Sequence, residues 1–328
     1  MQILSIIPRY CIYALLIFTP LARASVQPWA ITVIHMLTLV ALTAFVVERI
    51  REGTWRWIRT PLDAPILGLL GLCLVSMAFS VLPGISFWSL MLLVNYLVLF
   101  YLVIHTTRHR FEYRSLCHVI LGVGAFLAVF GLFKYVGANP FPWWDYPHQA
   151  ESVRLSATFG NADHLAGYME MALPLTLGVV LFGYSRSAAS LLTFLSFLLL
   201  TALILSLSRG GWLGVTAGLS LMAGLLLLSR HFHRKRVVLA IVGCTMAVAF
   251  VVLSTTPVVE RVLTLTERDA DVNMAGRLLA WAGTRELIKD YPFLGTGPGT
   301  YATVFTQYQP PGRGARYYYA HNDYLQVI

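Results

Sequence analysis

Nine apolar runs alternate with short charged segments along the chain, each close to the ~20 residues a helix needs to cross a bilayer. They are Ile3–Leu21, Ile31–Val47, Leu62–Ser80, Ser86–His105, Ser115–Gly137, His164–Gly183, Ala188–Leu207, Gly211–Ser229 and Val237–Ser254. A soluble globule is excluded, because only 12% of the 328 residues are charged and 57% are hydrophobic. An ordinary soluble domain carries about 25% charged residues, so this chain has too few to coat a water-facing surface. The expected fold is an all-α polytopic membrane protein of about nine transmembrane helices. Residues 1–254 would form the helical bundle, and residues 255–328 a large extramembrane loop region leading into a further span that is cut short.

The net charge of +9 is distributed asymmetrically. Residues 255–328 hold seven basic and seven acidic side chains, so the excess lies entirely before them. With the N-terminus inside, the inner segments collect thirteen Lys and Arg: Arg9, Arg49, Arg51, Arg56, Arg59, Arg108, Arg110, Arg114, Arg186, Arg230, Arg234, Lys235 and Arg236. The outer loops before residue 255 hold three, Arg23, Arg154 and Arg209. Lys and Arg favour the cytoplasmic side of short loops. The bias therefore places residues 138–163 and everything after 254 outside. The same bias accounts for a basic balance that would otherwise point to nucleic acid.

The extramembrane segments have their own character. Trp143 and Trp144 suit a membrane-interface lip. Ala275–Asp290 is expected to be helical, with Leu278, Ala282 and Ile288 forming its apolar stripe. The run Gly295-Thr-Gly-Pro-Gly299 follows a helix rather than a strand and contains Pro298, so it is expected to be a turn and not a phosphate cradle. The four cysteines lie inside apolar runs without CxxC spacing. They are neither disulfides nor metal ligands on this reading, and no metal-binding motif occurs.

Five places could carry chemistry. Arg154, Arg209 and Arg277 lie on the outer side, where guanidinium groups match phosphate oxygens bidentately and keep their charge. Ordinary snorkelling to lipid headgroups is the competing explanation. Arg209 sits in a Ser-Arg-Gly-Gly corner, whose two glycines would let a ligand approach the backbone. His321, after Tyr317–Tyr319 and before Asn322 and Asp323, has the residue type of a general base, or is simply an interfacial histidine. Asn322 and Asp323 could fix its tautomer or hold a sugar hydroxyl. Glu170 lies within a span, where an acid is costly and marks function by default, unless it pairs with an outer arginine.

Four motifs occur in a specific order: Asn161-Ala-Asp-His-Leu-Ala-Gly-Tyr-Met-Glu-Met-Ala-Leu-Pro-Leu175, Leu207-Ser-Arg-Gly-Gly-Trp-Leu-Gly214, Gly276-Arg-Leu-Leu-Ala-Trp281 with Tyr291–Gly299, and Ala320-His-Asn-Asp-Tyr-Leu-Gln326. Together they resemble the O-antigen ligase family, which also includes O-antigen polymerases and protein O-oligosaccharyltransferases. The resemblance runs from about Arg154 to the end of the chain. It implies a multi-pass protein of the bacterial inner membrane with a GT-C-like fold, a cytoplasmic N-terminus and an active periplasmic face. It implies transfer of a glycan from undecaprenyl pyrophosphate to an acceptor hydroxyl, on lipid A–core or another glycan or protein, without metal or cofactor and with inversion. By motif position it makes His321 the catalytic histidine and Arg209, Arg277 and Arg154 the pyrophosphate ligands. The family continues through further spans after this histidine.

Two alternatives stand beside that expectation. A polymerase would use another lipid-linked repeat as acceptor. Polymerases are described with an arginine followed eleven positions later by glycine, and no arginine here has such a partner. A transporter of lipid-linked sugars would show repeated halves and charged or broken helices near the midplane. Here the charges gather at span ends, and no internal repeat is present.

Overall fold

The computed structural model describes residues 2–53, 57–144, 154–182, 186–230, 272–309 and 317–327, with residues 232, 237, 240 and 243 singly. The described residues contain helices and turns and no strand. The long helices are α1 (Gln2–Leu21), α2 (Pro28–Glu52), α3 (Asp63–Ala78), α4 (Pro83–Thr106), α5 (Arg110–Tyr135), α6 (Ala162–Phe182), α7 (Arg186–Leu205) and α8 (Arg209–Leu228). Seven of these are long and apolar enough to cross a membrane. The exception is α3, with 16 residues, where the sequence pattern predicts a span over Leu62–Ser80. The ninth expected span, Val237–Ser254, lies almost wholly outside the described residues. After it come α9 (Val272–Asp290), a one-turn α10 (Tyr301–Val304) and α11 (Asp323–Val327). This is an all-helical, polytopic membrane protein.

The chain forms two compact units, Met1–Ala41 with Thr107–Val262, and Leu42–Thr106 with Leu263–Ile328. In the first, α5, α6, α7 and α8 enclose a core of fully buried side chains that includes Leu127, Leu165, Met169, Leu199 and Leu203. Lipid tails are as apolar as leucine, so helices in a bilayer associate where small residues let them approach closely. The α6–α8 crossing follows that rule. A Cβ on Gly211 would lie 2.7 Å from Ala166, one on Gly214 would run into the Glu170 carboxylate, and one on Gly218 would meet Pro174 at 3.9 Å.

Helix ends in this unit are closed by specific bonds. The last carbonyls of a helix lack intrahelical donors. On α1, Pro20 accepts the Thr158 hydroxyl at 2.8 Å and Leu21 accepts the Trp144 indole at 2.7 Å. Trp144 is thereby a clasp, packed against Phe126, Phe130 and Phe141, beyond its expected interfacial placement. At the start of α5, Glu112 accepts the backbone N–H groups of Arg108 and His109 and pairs with Arg9.

In the second unit α3 and α4 form a hairpin against whose turn the glycine run docks. Val81 N–H and the Ser80 hydroxyl both donate to the Thr296 carbonyl, at 3.1 and 3.2 Å. Gly297 and Gly299 adopt φ of 106° and 74°, a region closed to most L-residues. Any Cβ there would collide with Ser80, Ser86 or Ser89. The expected turn is present, and its glycines serve this contact. Helix α9 buries Ala280, Gly283, Thr284 and Leu287 against Tyr301, Val304 and Phe305. The expected stripe is therefore wrong: Leu278 and Ala282 are exposed. Close approach selects the face, since a Cβ at Gly283 would lie 2.5 Å from the Tyr308 carbonyl oxygen.

Candidate functional site

In the first unit, the α7–α8 corner carries Arg209. Leu207 turns the chain with φ of 52°, a left-handed conformation unfavourable to a bulky L-residue. Ser208 then caps α8, its hydroxyl accepting Gly211 N–H at 3.3 Å. Arg209 is the first residue of the helix and is half-buried. A cation in the first turn opposes the helix dipole, so helix stability does not explain its placement. Together, the guanidinium and the helix N-terminus attract an anion from the same side. Of the two glycines, Gly211 is taken up by packing on Ala166, while a Cβ at Gly210 would meet nothing within 4 Å.

Arg154 is brought to this same corner. Its Nε donates to the Ser206 carbonyl at 2.8 Å and its Nη2 to Asp163 at 2.5 Å. Leu155 N–H donates to the Leu205 carbonyl at 2.9 Å, and a Cβ on Gly131 of α5 would press on Leu155 at 2.6 Å. The segment after Arg154 is thus laid across the end of α7, with Ala157 at φ 49°. Glu170 lies more than two turns into α6, its carboxylate against Gly214. Among the described residues it forms no ion pair with any of the arginines suggested for it.

In the second unit, His321 is exposed and also left-handed, with φ of 53°. The residue before it, Ala320, is held at both its carbonyl and its N–H. The Trp281 indole donates to the Ala320 carbonyl at 2.9 Å, and Ala320 N–H donates to Gln326 Oε1 at 3.0 Å. Asn322 accepts Leu325 N–H at 3.3 Å through Oδ1, which makes it the cap of α11. His321, Tyr319, Asp323 and Gln326 line an open depression of ≈ 480 Å³. Arg277 is exposed on α9, four residues before Trp281 and so one turn away on the same side. This unit therefore holds both Arg277 and His321, and the Trp281–Ala320 bond ties the helix of Arg277 to the residue before His321. Arg154, Arg209 and Glu170 belong to the other unit.

Sequence reasoning missed Asp163 as the partner of Arg154 and Trp281 as the support of His321. It also missed the left-handed residues Ala157, Leu207 and His321, one in each of the segments of Arg154, Arg209 and His321, since none is a glycine. Among the described residues no group of three or more His, Cys, Asp or Glu gathers to hold a metal ion.

Neither the curated proteins nor the solved structures give a match to this chain. Residues 194–328 match the family model described as O-antigen ligase. The matched stretch contains Arg209, Arg277 and His321, and leaves Arg154 and Glu170 outside it. Through residues 194–328, about two fifths of its length, this membrane protein is similar to the O-antigen ligase family.

Proposed function

We propose that this protein transfers a glycan from undecaprenyl pyrophosphate to an acceptor hydroxyl, of lipid A–core or another surface acceptor, at the periplasmic face of a bacterial inner membrane. The observation that carries this reading is the presentation of His321. An exposed imidazole is held on a strained turn beside an open depression, and its support leads back to the helix of Arg277. Residues kept in such backbone conformations cluster at working sites.

In the proposed reaction, His321 accepts the proton of the acceptor hydroxyl. The oxygen bonds to the anomeric carbon as the bond to the pyrophosphate oxygen breaks, inverting that carbon. The electron pair leaves with the lipid pyrophosphate. Arg209 and Arg277 stabilise the charge that accumulates there, and such contacts are strongest where water is excluded. Arg154 supports the phosphate site through the α7–α8 corner, Asp323 orients the histidine or a sugar hydroxyl, and Asn322 holds the turn. No metal or cofactor enters the scheme, because the lipid-linked donor is a substrate.

Removal of a general base is expected to lower the rate by about 10²–10⁴. The test measures transfer from a lipid-linked donor to core acceptor in membranes carrying His321→Ala; a wild-type rate removes the histidine from the reaction. Arg209→Lys is expected to lower transfer as well, because a point charge loses bidentate contact. Unchanged activity would mean that charge alone suffices. Deletion of the full gene identifies the acceptor by which glycoconjugate disappears, and a lost chain-length ladder with ligation intact would make it a polymerase.

A further inference from the structure

The loop Tyr291–Gly299 docks beside α3 and not simply above it. The Ser76 hydroxyl, in the last turn of α3, donates to the Leu294 carbonyl at 2.7 Å. No residue of α3 is buried, and the apolar side chains near this level are exposed: Leu72 is 50% and Val75 47% exposed, and Phe79, just past the helix end, 70%. On an apolar helix of a membrane protein such a surface faces lipid. Phe293, the residue before Leu294, is 90% exposed, and on α4 Trp88 is 70% exposed. An aromatic ring so open, at the depth of lipid-facing side chains, continues the lipid-facing surface. Aromatic residues also favour the boundary between headgroups and hydrocarbon.

We propose that Phe293 is a lipid anchor, its ring seated among the phospholipids of the leaflet at this end of the α3–α4 hairpin. The loop cannot lift away without breaking the bonds from Ser76, Ser80 and Val81 to Leu294 and Thr296. The same loop leads directly into Tyr301, whose hydroxyl is 2.8 Å from that of Thr284 on α9, the helix that holds Ala320 through Trp281. The anchor thereby sets the height of His321 relative to the bilayer. That consequence rests on the catalytic reading, whereas the anchor does not.

Spin labels at Phe293→Cys, Val75→Cys and Gln307→Cys test it in the full chain, with Cys11, Cys73, Cys117 and Cys244 replaced by Ser and the protein in phospholipid nanodiscs. The ratio of collision with oxygen to collision with a water-soluble nickel chelate is read for each. The expected ratio at 293 approaches that at 75 and exceeds that at 307, an exposed position on the same subdomain. A ratio at 293 equal to that at 307 overturns the proposal. Should the cysteine-free chain fail to fold, benzoylphenylalanine at position 293, with the native cysteines kept, answers the same question. Photolysis is expected to give phospholipid adducts. Cross-links to protein alone, or no adduct, overturn it. Neither readout depends on transfer activity, so failure here leaves the catalytic proposal standing.

Discussion

His321 holds a left-handed backbone and an exposed side chain at once, a pairing that separates stability from activity. A non-glycine residue in this region costs roughly 1 kcal/mol, and an exposed ring has little packing to set against that cost. His321→Gly is therefore expected to be more stable than His321→Ala by about 1 kcal/mol, while both lose transfer. Denaturation of purified protein in mixed micelles, followed beside the transfer assay, measures the two quantities. Leu207 shares the conformation, yet it also packs on the core of its unit, so glycine there loses burial as it relieves strain. Neither position was legible in the sequence, because left-handed positions are read from glycine or asparagine and these residues are neither. Arg154 was visible as an unusual outer arginine. Its bonds to Ser206 and Asp163 were not, since they join residues far apart in the chain or on the far side of a turn.

Among the elements, α6, α7 and α8 were evident from their apolar runs, and the structure places their ends within a few residues of expectation. What periodicity did not convey is which face of a helix meets a neighbour. In a chain this apolar, hydrophobicity labels most positions alike, and residue size decides instead. The pair Gly210 and Gly211 makes the point. Gly211→Val is expected to destabilise the α6–α8 crossing by about 1–3 kcal/mol, as overpacking does. Gly210→Ala, with open space at its Cβ, should be tolerated, and the two can be compared by thermal aggregation of detergent-solubilised protein. On α9 the same blindness selected Leu278 and Ala282 where Ala280, Gly283 and Thr284 are buried. Trp281→Phe keeps an aromatic side chain, though a smaller one, and removes one hydrogen bond, worth about 1 kcal/mol. A several-fold fall in transfer, with little change in expression, would show that this bond positions His321.

For the whole molecule, the motif order agrees with the family similarity over residues 194–328, and fold class followed from composition and run length. The arrangement of the site did not, because the order of motifs says nothing of which segments fold together: Arg277 and His321 share one unit, Arg154 and Arg209 the other. The expected orientation has its own test. Alkaline phosphatase fused after Arg154 or after Thr300 should be active, and after Arg114 inactive; the reverse pattern would invert the assigned faces. Finally, the 16 residues of α3 reach only about 24 Å, against a hydrocarbon thickness of about 30 Å. Where a short helix meets a thicker bilayer, the lipid adjusts by thinning, so a dimple should surround the α3–α4 hairpin. Acyl chains of fourteen carbons should then suit the protein better than chains of twenty, and any polyprenyl headgroup drifting into that hollow would ride lower than its neighbours.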